Sequence, residues 1–260
     1  MQFAVIGNPI SHSLSPILHN YAFKMLGISG FYGRYLLKEN QSFYHLRSLH
    51  LKGANVTLPF KEIAFNSCDA TFGIARDIGA VNTIVFEKGK MLGYNTDALG
   101  FYLCIENLAP KNALIIGAGG SAKAIAHLLK QKGIAVTLLN RSKERLKGFK
   151  DFECFTFEDF IPKNTYDIII NTTPAGLTND ALPLQKEHLT PIMQSALLAF
   201  DLVYGKETPF LALAKSLNIT TSDGKAMLIN QAILAFEIFM ESQSIAFDAK
   251  ILRKSMQHIL

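Results

Sequence analysis

Ala113-Leu114-Ile115-Ile116-Gly117-Ala118-Gly119-Gly120-Ser121-Ala122 decides the fold. A short apolar run, of the kind a fully buried strand makes, ends at Gly117. A glycine-rich turn follows, and then a helical pattern over about 120–132. Ala135-Val136-Thr137-Leu138-Leu139 reads as the next strand. Strand, turn, helix and strand in that order make a βαβ unit, whose crossover helix lets two parallel strands pair. The turn matches Gly-x-Gly-x-x-Ala. Gly117 permits the tight bend, Gly119 lets backbone approach a pyrophosphate at the helix N-terminus, and Ala122 fills the third small position. Gly117, Ala118, Gly119, Gly120 and Ser121 are therefore the candidate phosphate cradle of a dinucleotide.

The end of the second strand selects the dinucleotide. An NAD site usually carries Asp or Glu there for the ribose hydroxyls. This chain has Asn140-Arg141-Ser142-Lys143-Glu144-Arg145. A carboxylate is missing where it would repel a 2′-phosphate, and Arg141 can offer that phosphate a forked, charge-assisted contact. The pattern favours NADP, with Asn140, Arg141, Ser142 and Arg145 around the adenosine end. Arg141, Lys143 and Arg145 also suit solvated charges at the start of a short helix.

Working outward, strands are expected at Tyr166–Asn171, Leu197–Val203 and Ile219–Thr221, with helices over 207–217, 225–241 and 247–258. Upstream, strands are expected at 2–7, 31–37 and 53–58, alternating with helices at 15–27, near 40–50 and near 59–66. Asn82–Phe86 and Met91–Gly93 read as a hairpin across Glu87-Lys88-Gly89-Lys90. Thr96–Asn107 reads as a helix, stopped by Pro110. The rhythm predicts parallel sheets covered by helices. Two alternating series predict two α/β domains, divided within the helix that begins at Thr96.

The 260 residues are 49% hydrophobic and 18% charged, which excludes general disorder. Nineteen Phe and no Trp suit a packed core. The longest membrane candidate, Ala232–Met240, is interrupted by Glu237 and falls short of the roughly 18 residues a span requires. The opening Met1–Gly7 reads as a strand rather than a signal peptide. Cys68, Cys104 and Cys154 form an odd set without CxxC spacing, which predicts neither disulfide framework nor metal site and suits the cytoplasm. The net charge of +5 comes without a dense Lys/Arg run, so no nucleic-acid partner is expected.

Four polar clusters fall where strands end and helices begin, the ligand edge of an α/β sheet. In Ser11-His12-Ser13-Leu14-Ser15-Pro16, Ser15 suits a helix N-cap before Pro16, while two hydroxyls at a helix start also suit a carboxylate. His12 lacks ligand-spaced companions and reads as structural. In Asn55-Val56-Thr57-Leu58-Pro59-Phe60-Lys61, the ammonium of Lys61 either faces solvent or projects over the sheet edge. Asn82 stands in Gly79-Ala80-Val81-Asn82-Thr83. Asp97 closes Gly93-Tyr94-Asn95-Thr96-Asp97, and its place suits the helix dipole as well as catalysis. Gln231 lies within an apolar helical stripe and needs a backbone or ligand partner.

Together with Gly7-Asn8-Pro9-Ile10, Gly93–Gly100, Asp201–Tyr204 and Asp223–Leu228, these pieces resemble the shikimate dehydrogenase family, over residues 7–231. The resemblance implies an N-terminal α/β substrate domain, a Rossmann-like NADP-binding domain and an active site in the cleft between them. It implies residues 1–96 plus 225–260 in the first domain and 97–224 in the second. The implied activity is the reversible reduction of 3-dehydroshikimate to shikimate with NADPH, in aromatic amino-acid biosynthesis. By motif position Lys61 and Asp97 would be the catalytic pair. Ser13 and Ser15 would hold the substrate carboxylate, with Tyr204 nearby, and Thr57, Asn82 and Gln231 would contact ring hydroxyls. Leu202 and Gly224 would lie near the nicotinamide. The implied partners are small molecules, in a monomer or homodimer. Lys206 replaces a frequent proline, and Ser142 replaces the motif threonine. A quinate/shikimate dehydrogenase of broader specificity and a non-catalytic NADP sensor are the competing readings. The sensor would need the glycine loop and Arg141, but not Lys61, Asp97 and both serines together.

Overall fold

A computed structural model describes residues 1–38, 41–161 and 165–260. By its contacts the chain divides into two units, Met1–Gly100 with Leu228–Leu260, and Phe101–Met227. Up to the first division run β1 (Gln2–Gly7), α1 (Ser15–Met25), β2 (Phe31–Leu36), β3 (Gly53–Val56), α2 (Lys61–Ser67), β4 (Ala70–Thr71), α3 (Ile74–Ile78), β5 (Thr83–Glu87) and β6 (Lys90–Tyr94). Helix α4 (Asp97–Ile105) carries the chain across the division. Next come β7 (Asn112–Ile116), α5 (Gly120–Gln131), β8 (Ala135–Asn140), α6 (Lys143–Leu146), β9 (Glu153–Thr156), β10 (Ile168–Asn171), α7 (Lys186–Met193), β11 (Leu198–Asp201), α8 (Pro209–Ser216) and β12 (Thr220–Ser222). Helix α9 (Lys225–Ser242) leads back to the first unit, and α10 (Ala249–Ile259) ends it.

The second unit is a six-stranded sheet ordered β12-β11-β10-β7-β8-β9. Every pairing in it is parallel. Strand order reverses between β7 and β10, so the ligand crevice of a doubly wound sheet opens at their carboxyl ends. Alternation along β7 explains why its apolar run is continuous. Ala113 and Ile115 pack with Ile125 and Leu129 of α5, while Leu114 and Ile116 pack with Leu189 of α7 and Phe210 of α8.

The first unit is also six-stranded, ordered β2-β1-β3-β5-β6-β4. Phe3 and Val5 pack with Phe23 of α1 and Phe236 and Phe239 of α9, whereas Ile6 points to the cluster of Leu37, Phe43, Leu46 and Phe60. The sheet is mixed, since the expected hairpin is present as β5 and β6 and its first strand also pairs antiparallel with β3, which was not foreseen. β1 pairs parallel with β2 and β3, but β5 runs antiparallel to both β3 and β6. The cause is the hairpin: Lys88 (φ 49°) and Gly89 (φ 76°) make a two-residue turn with both φ positive, which matches the twist of the flanking strands.

Other differences are local. The segment expected as a helix near 40–50 is a 3-10 helix, Phe43–Leu49, and Asn40 lies outside the described residues. The expected helix over Thr96–Asn107 is α4 followed by a 3-10 turn, Glu106–Leu108. β4, β9, α3 and α7 went unforeseen. The first three are short, and Pro191 inside α7 masks its pattern.

His19 on α1 is fully buried and stacks on Tyr32 of β2, centroids 4.2 Å apart and planes within 3°. Neither ring nitrogen has a hydrogen-bond partner among the described residues. Burial therefore lowers its pKa from 6.5 to about 3. Between those two values the unfolded chain binds a proton that the folded one refuses, so stability falls as pH drops below 6.5. By pH 5 the loss from this group is about 2 kcal/mol. Urea titrations at pH 7.5 and pH 5 should show that loss, and His19→Phe should remove most of it. An equal acid-induced loss in the variant would clear His19 of the effect.

Candidate active site

The loops after β1 and β3 are joined at the carboxyl edge of the first sheet. The Thr57 N–H donates to the Ile6 carbonyl at 2.9 Å, and the Asn8 N–H donates to the Leu58 carbonyl at 3.1 Å. The approach needs glycine at position 7, where a Cβ would stand 2.5 Å from Thr57 Cγ2. Thr57 is half-buried at this edge. Pro59 follows at once, and Lys61 opens α2.

Lys61 is not a solvated charge. Its residue is 9% exposed and Asp97 is 8% exposed, and Lys61 Nζ donates to Asp97 Oδ2 at 2.5 Å. Asp97 heads α4, where the Asn95 carboxamide oxygen accepts from the Asp97 N–H at 3.1 Å and the Ala98 N–H at 3.4 Å. The other carboxylate oxygen, Oδ1, accepts from Asn82 Nδ2 at 2.8 Å. Asp97 thus lies in the first helical turn, as the dipole reading has it, and holds a buried ammonium. A buried ion pair persists only where its remaining hydrogen-bonding capacity is satisfied, and Asn82 supplies that. The outcome is a fixed ammonium whose position two other side chains determine.

Ser13 and Ser15 are buried and adjacent, with Ser13 Oγ donating to Ser15 Oγ at 3.3 Å. The expected N-cap role of Ser15 is corrected. Leu14 occupies the cap position without a side-chain hydrogen bond, and Ser15 is already helical. The reason is the other hydroxyl: Ser13 Oγ accepts from the Ser15 N–H at 3.4 Å. Arg34 of β2 fixes this loop by donating to the Ser13 carbonyl from Nε at 3.1 Å and from the guanidinium end at 2.6 Å. His12 is exposed, so no buried structural role falls to it. Gln231 of α9 donates through Nε2 to the Leu228 carbonyl at 2.7 Å, which is a backbone partner. α4 approaches it closely, since a Cβ on Gly100 would lie 2.9 Å from Gln231 Cβ.

In the second unit, Gly117 has φ +117° and its missing Cβ would fall 2.3 Å from Thr172 Oγ1. The bend is pinned by the Gly117 N–H to the Leu139 carbonyl at 2.8 Å. Gly119 differs: its φ is −94°, it is exposed, and a Cβ there would meet nothing within 4 Å. This open space lies directly before the N-terminus of α5, where backbone N–H groups favour an anion. Ala118, Gly120 and Ser121 are partly buried around it.

Asn140 at the end of β8 is buried and donates to the Ser142 carbonyl at 3.0 Å. Arg141 and Arg145 are exposed, and Ser142 is half-buried. The nearby carboxylate, Glu144, pairs with Lys147 at 2.6 Å. At the ends of β10 and β11, Asp201 is fully buried and accepts from Asn171, the Val203 N–H and Thr208. Burial raises its pKa, and these hydrogen bonds oppose the rise. Asp201 and Asn171 shape the strand ends that carry Leu202, which meets Gly224 closely. A Cβ on Gly224 would fall 2.1 Å from the Leu202 carbonyl oxygen. Tyr204 follows on the same loop, its phenol pKa raised by burial.

Lys61, Asp97, Asn82, Ser13, Ser15, Thr57 and Gln231 belong to the first unit, and the candidate nucleotide residues with Tyr204 belong to the second. A doubly wound sheet with a glycine cradle, joined to a second α/β unit bearing a buried Lys–Asp pair, defines the two-unit α/β dehydrogenase class. Residues 5–84 match the family described as shikimate dehydrogenase substrate binding domain, and residues 103–203 match shikimate / quinate 5-dehydrogenase. The chain belongs to the shikimate dehydrogenase family. It is 55% identical over 245 residues to the shikimate dehydrogenase (NADP(+)) of Helicobacter hepaticus, covering 93% of this chain and 91% of that one. It is 52% identical to the protein of the same name from Helicobacter pylori strain P12, covering 93% of each. Among solved structures, shikimate 5-dehydrogenase from Thermus thermophilus in complex with NADP(H) and shikimate superposes with a TM-score of 0.84 at 30% identity, over 100% of both chains. Among the described residues, no group of three or more His, Cys, Asp and Glu could hold a metal ion, and no helix is long and apolar enough to cross a membrane.

Proposed function

We propose that the protein catalyses the reversible, NADP-dependent reduction of 3-dehydroshikimate to shikimate. The observation that carries this reading is the buried Lys61–Asp97 pair with Asn82 on its second oxygen. NADPH, when bound, supplies the hydride. The open space at Gly119 and the absence of a carboxylate at Asn140-Arg141 fit its pyrophosphate and its 2′-phosphate. As the carbonyl oxygen gains charge, the Lys61 ammonium stabilises it and donates a proton to it. Asp97 holds that ammonium in place and accepts from the neighbouring ring hydroxyl. Ser13 and Ser15 take the substrate carboxylate, Thr57, Asn82 and Gln231 take ring hydroxyls, and Tyr204 lies near the carboxylate. Leu202 and Gly224 border the nicotinamide, and Asn140, Arg141, Ser142 and Arg145 border the adenosine phosphate. The substrate domain is taken as 1–96 with 225–260 and the NADP domain as 97–224; the contact division assigns 97–100 to the first unit and 225–227 to the second. The three free thiols fit a reducing, cytoplasmic compartment.

Steady-state assays with shikimate or quinate, each with NADP⁺ or NAD⁺, test the reading. Turnover should be fastest with shikimate and NADP⁺. NADPH binding without any turnover would replace the enzyme by a sensor. Ser13→Ala should raise the KM for shikimate by about 10- to 150-fold, the worth of a hydrogen bond to a charged group, and leave the KM for NADP⁺ unchanged. An unchanged shikimate KM in the folded variant would remove Ser13 from the site.

A further inference from the structure

Behind the Lys61–Asp97 pair a buried hydrogen-bond chain crosses three strands. Tyr32 of β2 donates its phenol to Asn55 Oδ1 at 2.7 Å. Asn55 of β3 donates through Nδ2 to Thr83 Oγ1 at 3.0 Å and to the Asn82 carbonyl at 3.3 Å. Thr83, first residue of β5, donates its hydroxyl to Asn82 Oδ1 at 2.9 Å. Asn82 Nδ2 then donates to Asp97 Oδ1 at 2.8 Å. Tyr32, Asn55, Asn82 and Thr83 are each 6% exposed or less.

The carboxylate and a backbone carbonyl fix both amides of the chain. An ionised carboxylate only accepts, so the Asn82 amide must turn its NH₂ toward Asp97. Its oxygen then faces the Thr96 N–H at 2.8 Å and the Thr83 hydroxyl. The Thr83 hydroxyl faces Asn82 Oδ1 at 2.9 Å and Thr96 Oγ1 at 3.3 Å, and the shorter contact takes its one proton. The Asn82 carbonyl, which only accepts, turns the Asn55 NH₂ toward it and toward Thr83. That turns the Asn55 oxygen toward Tyr32, whose phenol burial keeps protonated. Both amides have one permitted orientation, and with the shorter Thr83 contact made, the donors from Tyr32 to Asn82 run toward Asp97, where Lys61 also donates.

We infer that Thr83, backed by Asn55 and Tyr32, is a positioning residue for the reaction: it locks the Asn82 amide so that its NH₂ holds the carboxylate that holds Lys61. None of the three is assigned a substrate contact. The inference rests on the proposed reading of Lys61, Asp97 and Asn82, and two separate readouts keep the failures apart. The first is the side-chain amide signal of Asn82 in ¹⁵N NMR spectra of the whole protein. In Thr83→Val it should shift and exchange with solvent at least tenfold faster, and in Thr83→Ser it should stay as in wild type. The second is turnover of shikimate with NADP⁺. In Thr83→Val kcat should fall about tenfold, the loss of one buried hydrogen bond, with the KM for NADP⁺ unchanged. Thr83→Ser should recover kcat to within twofold, which a role in packing the Thr methyl would not produce. If Thr83→Val fails to fold, Tyr32→Phe removes only the far hydroxyl, and the same amide shift with a smaller kcat loss is expected. An unmoved Asn82 amide, or equal losses in Thr83→Val and Thr83→Ser, overturns the inference. A wild-type protein without turnover, with the amide responding as described, would instead refute the proposed reaction and leave the locked amide standing.

Discussion

Lys61→Ala is expected to lower kcat for shikimate by about 10²–10⁴-fold, the scale of general acid–base assistance. An ammonium that stabilises a developing alkoxide contributes more in the transition state than in the ground state, so the loss should fall on kcat rather than on KM. NADPH affinity should stay at the wild-type level, because Lys61 belongs to α2 of the first unit and the glycine cradle to the second. Burial adds a second effect. Removing Lys61 leaves the Asp97 carboxylate 8% exposed with Asn82 donating to it but no opposite charge beside it, and such an unpaired buried charge costs about 3–5 kcal/mol of stability. Asp97→Asn should lower kcat too, since it keeps the shape and removes the charge. The double variant Lys61→Met with Asp97→Asn removes both charges. It should regain much of the lost thermal stability while remaining as inactive as Lys61→Met alone. Recovered activity along with stability would mean that the pair supports the fold and not the chemistry. A folded Lys61→Ala with near-normal kcat and a raised shikimate KM would make Lys61 a binding residue.

Arg141→Ala is expected to weaken NADPH binding by about 10- to 150-fold, corresponding to roughly 1.5–3 kcal/mol for a charged hydrogen bond. NADH lacks the 2′-phosphate and should bind the variant as it binds wild type. The prediction depends on the strand end that carries the residue. Asn140 is held by the Ser142 carbonyl, Arg141 is exposed, and the neighbouring carboxylate of Glu144 is paired with Lys147. That carboxylate therefore does not compete for the guanidinium. Fluorescence titration of both reduced cofactors against both proteins decides the matter. Equal losses for NADPH and NADH would reject the phosphate assignment and leave Arg141 as a solvated charge.

The second unit was legible in its centre because one signal carried it: a buried strand, a glycine turn and a helix fix the topology locally, and β10, β11 and β12 repeat the pattern, while the edge strand β9 and helix α7 left no clear trace. The first unit was legible as α/β with its β5–β6 hairpin, but not in the antiparallel pairing of β5 with β3. A hairpin of five-residue strands among crossover units changes the sheet from parallel to mixed, and β4, of two residues, leaves no periodic trace. Lys61, Asp97 and Asn82 could be singled out as polar residues at strand and helix ends, although their mutual contact is tertiary. Asn55 and Thr83 stood inside the quoted motifs without a role. The available signal was that each is a polar residue in a fully buried strand segment, which demands a partner. His19 and Tyr32 gave less, since a histidine within an apolar helix and a tyrosine in a strand are ordinary core residues. Ser15 misled because serine before proline suits a cap so well, and only the competing Ser13 hydroxyl shows why it is not one.

Gly117 and Gly119 occupy the same motif for unrelated reasons, and this separates two kinds of selection acting on one loop. At position 117 any side chain collides with Thr172 and strains a φ of +117°, so the polypeptide itself rejects it. At position 119 the backbone is ordinary and the protein leaves room, so only a molecule from outside could object. A library screened for soluble, thermally stable protein should therefore discard variants at 117 and retain many at 119. The same library screened for growth without supplied aromatic amino acids should discard both. The residues that pass the first screen and fail the second would trace the outline of the cofactor without any ligand having been added.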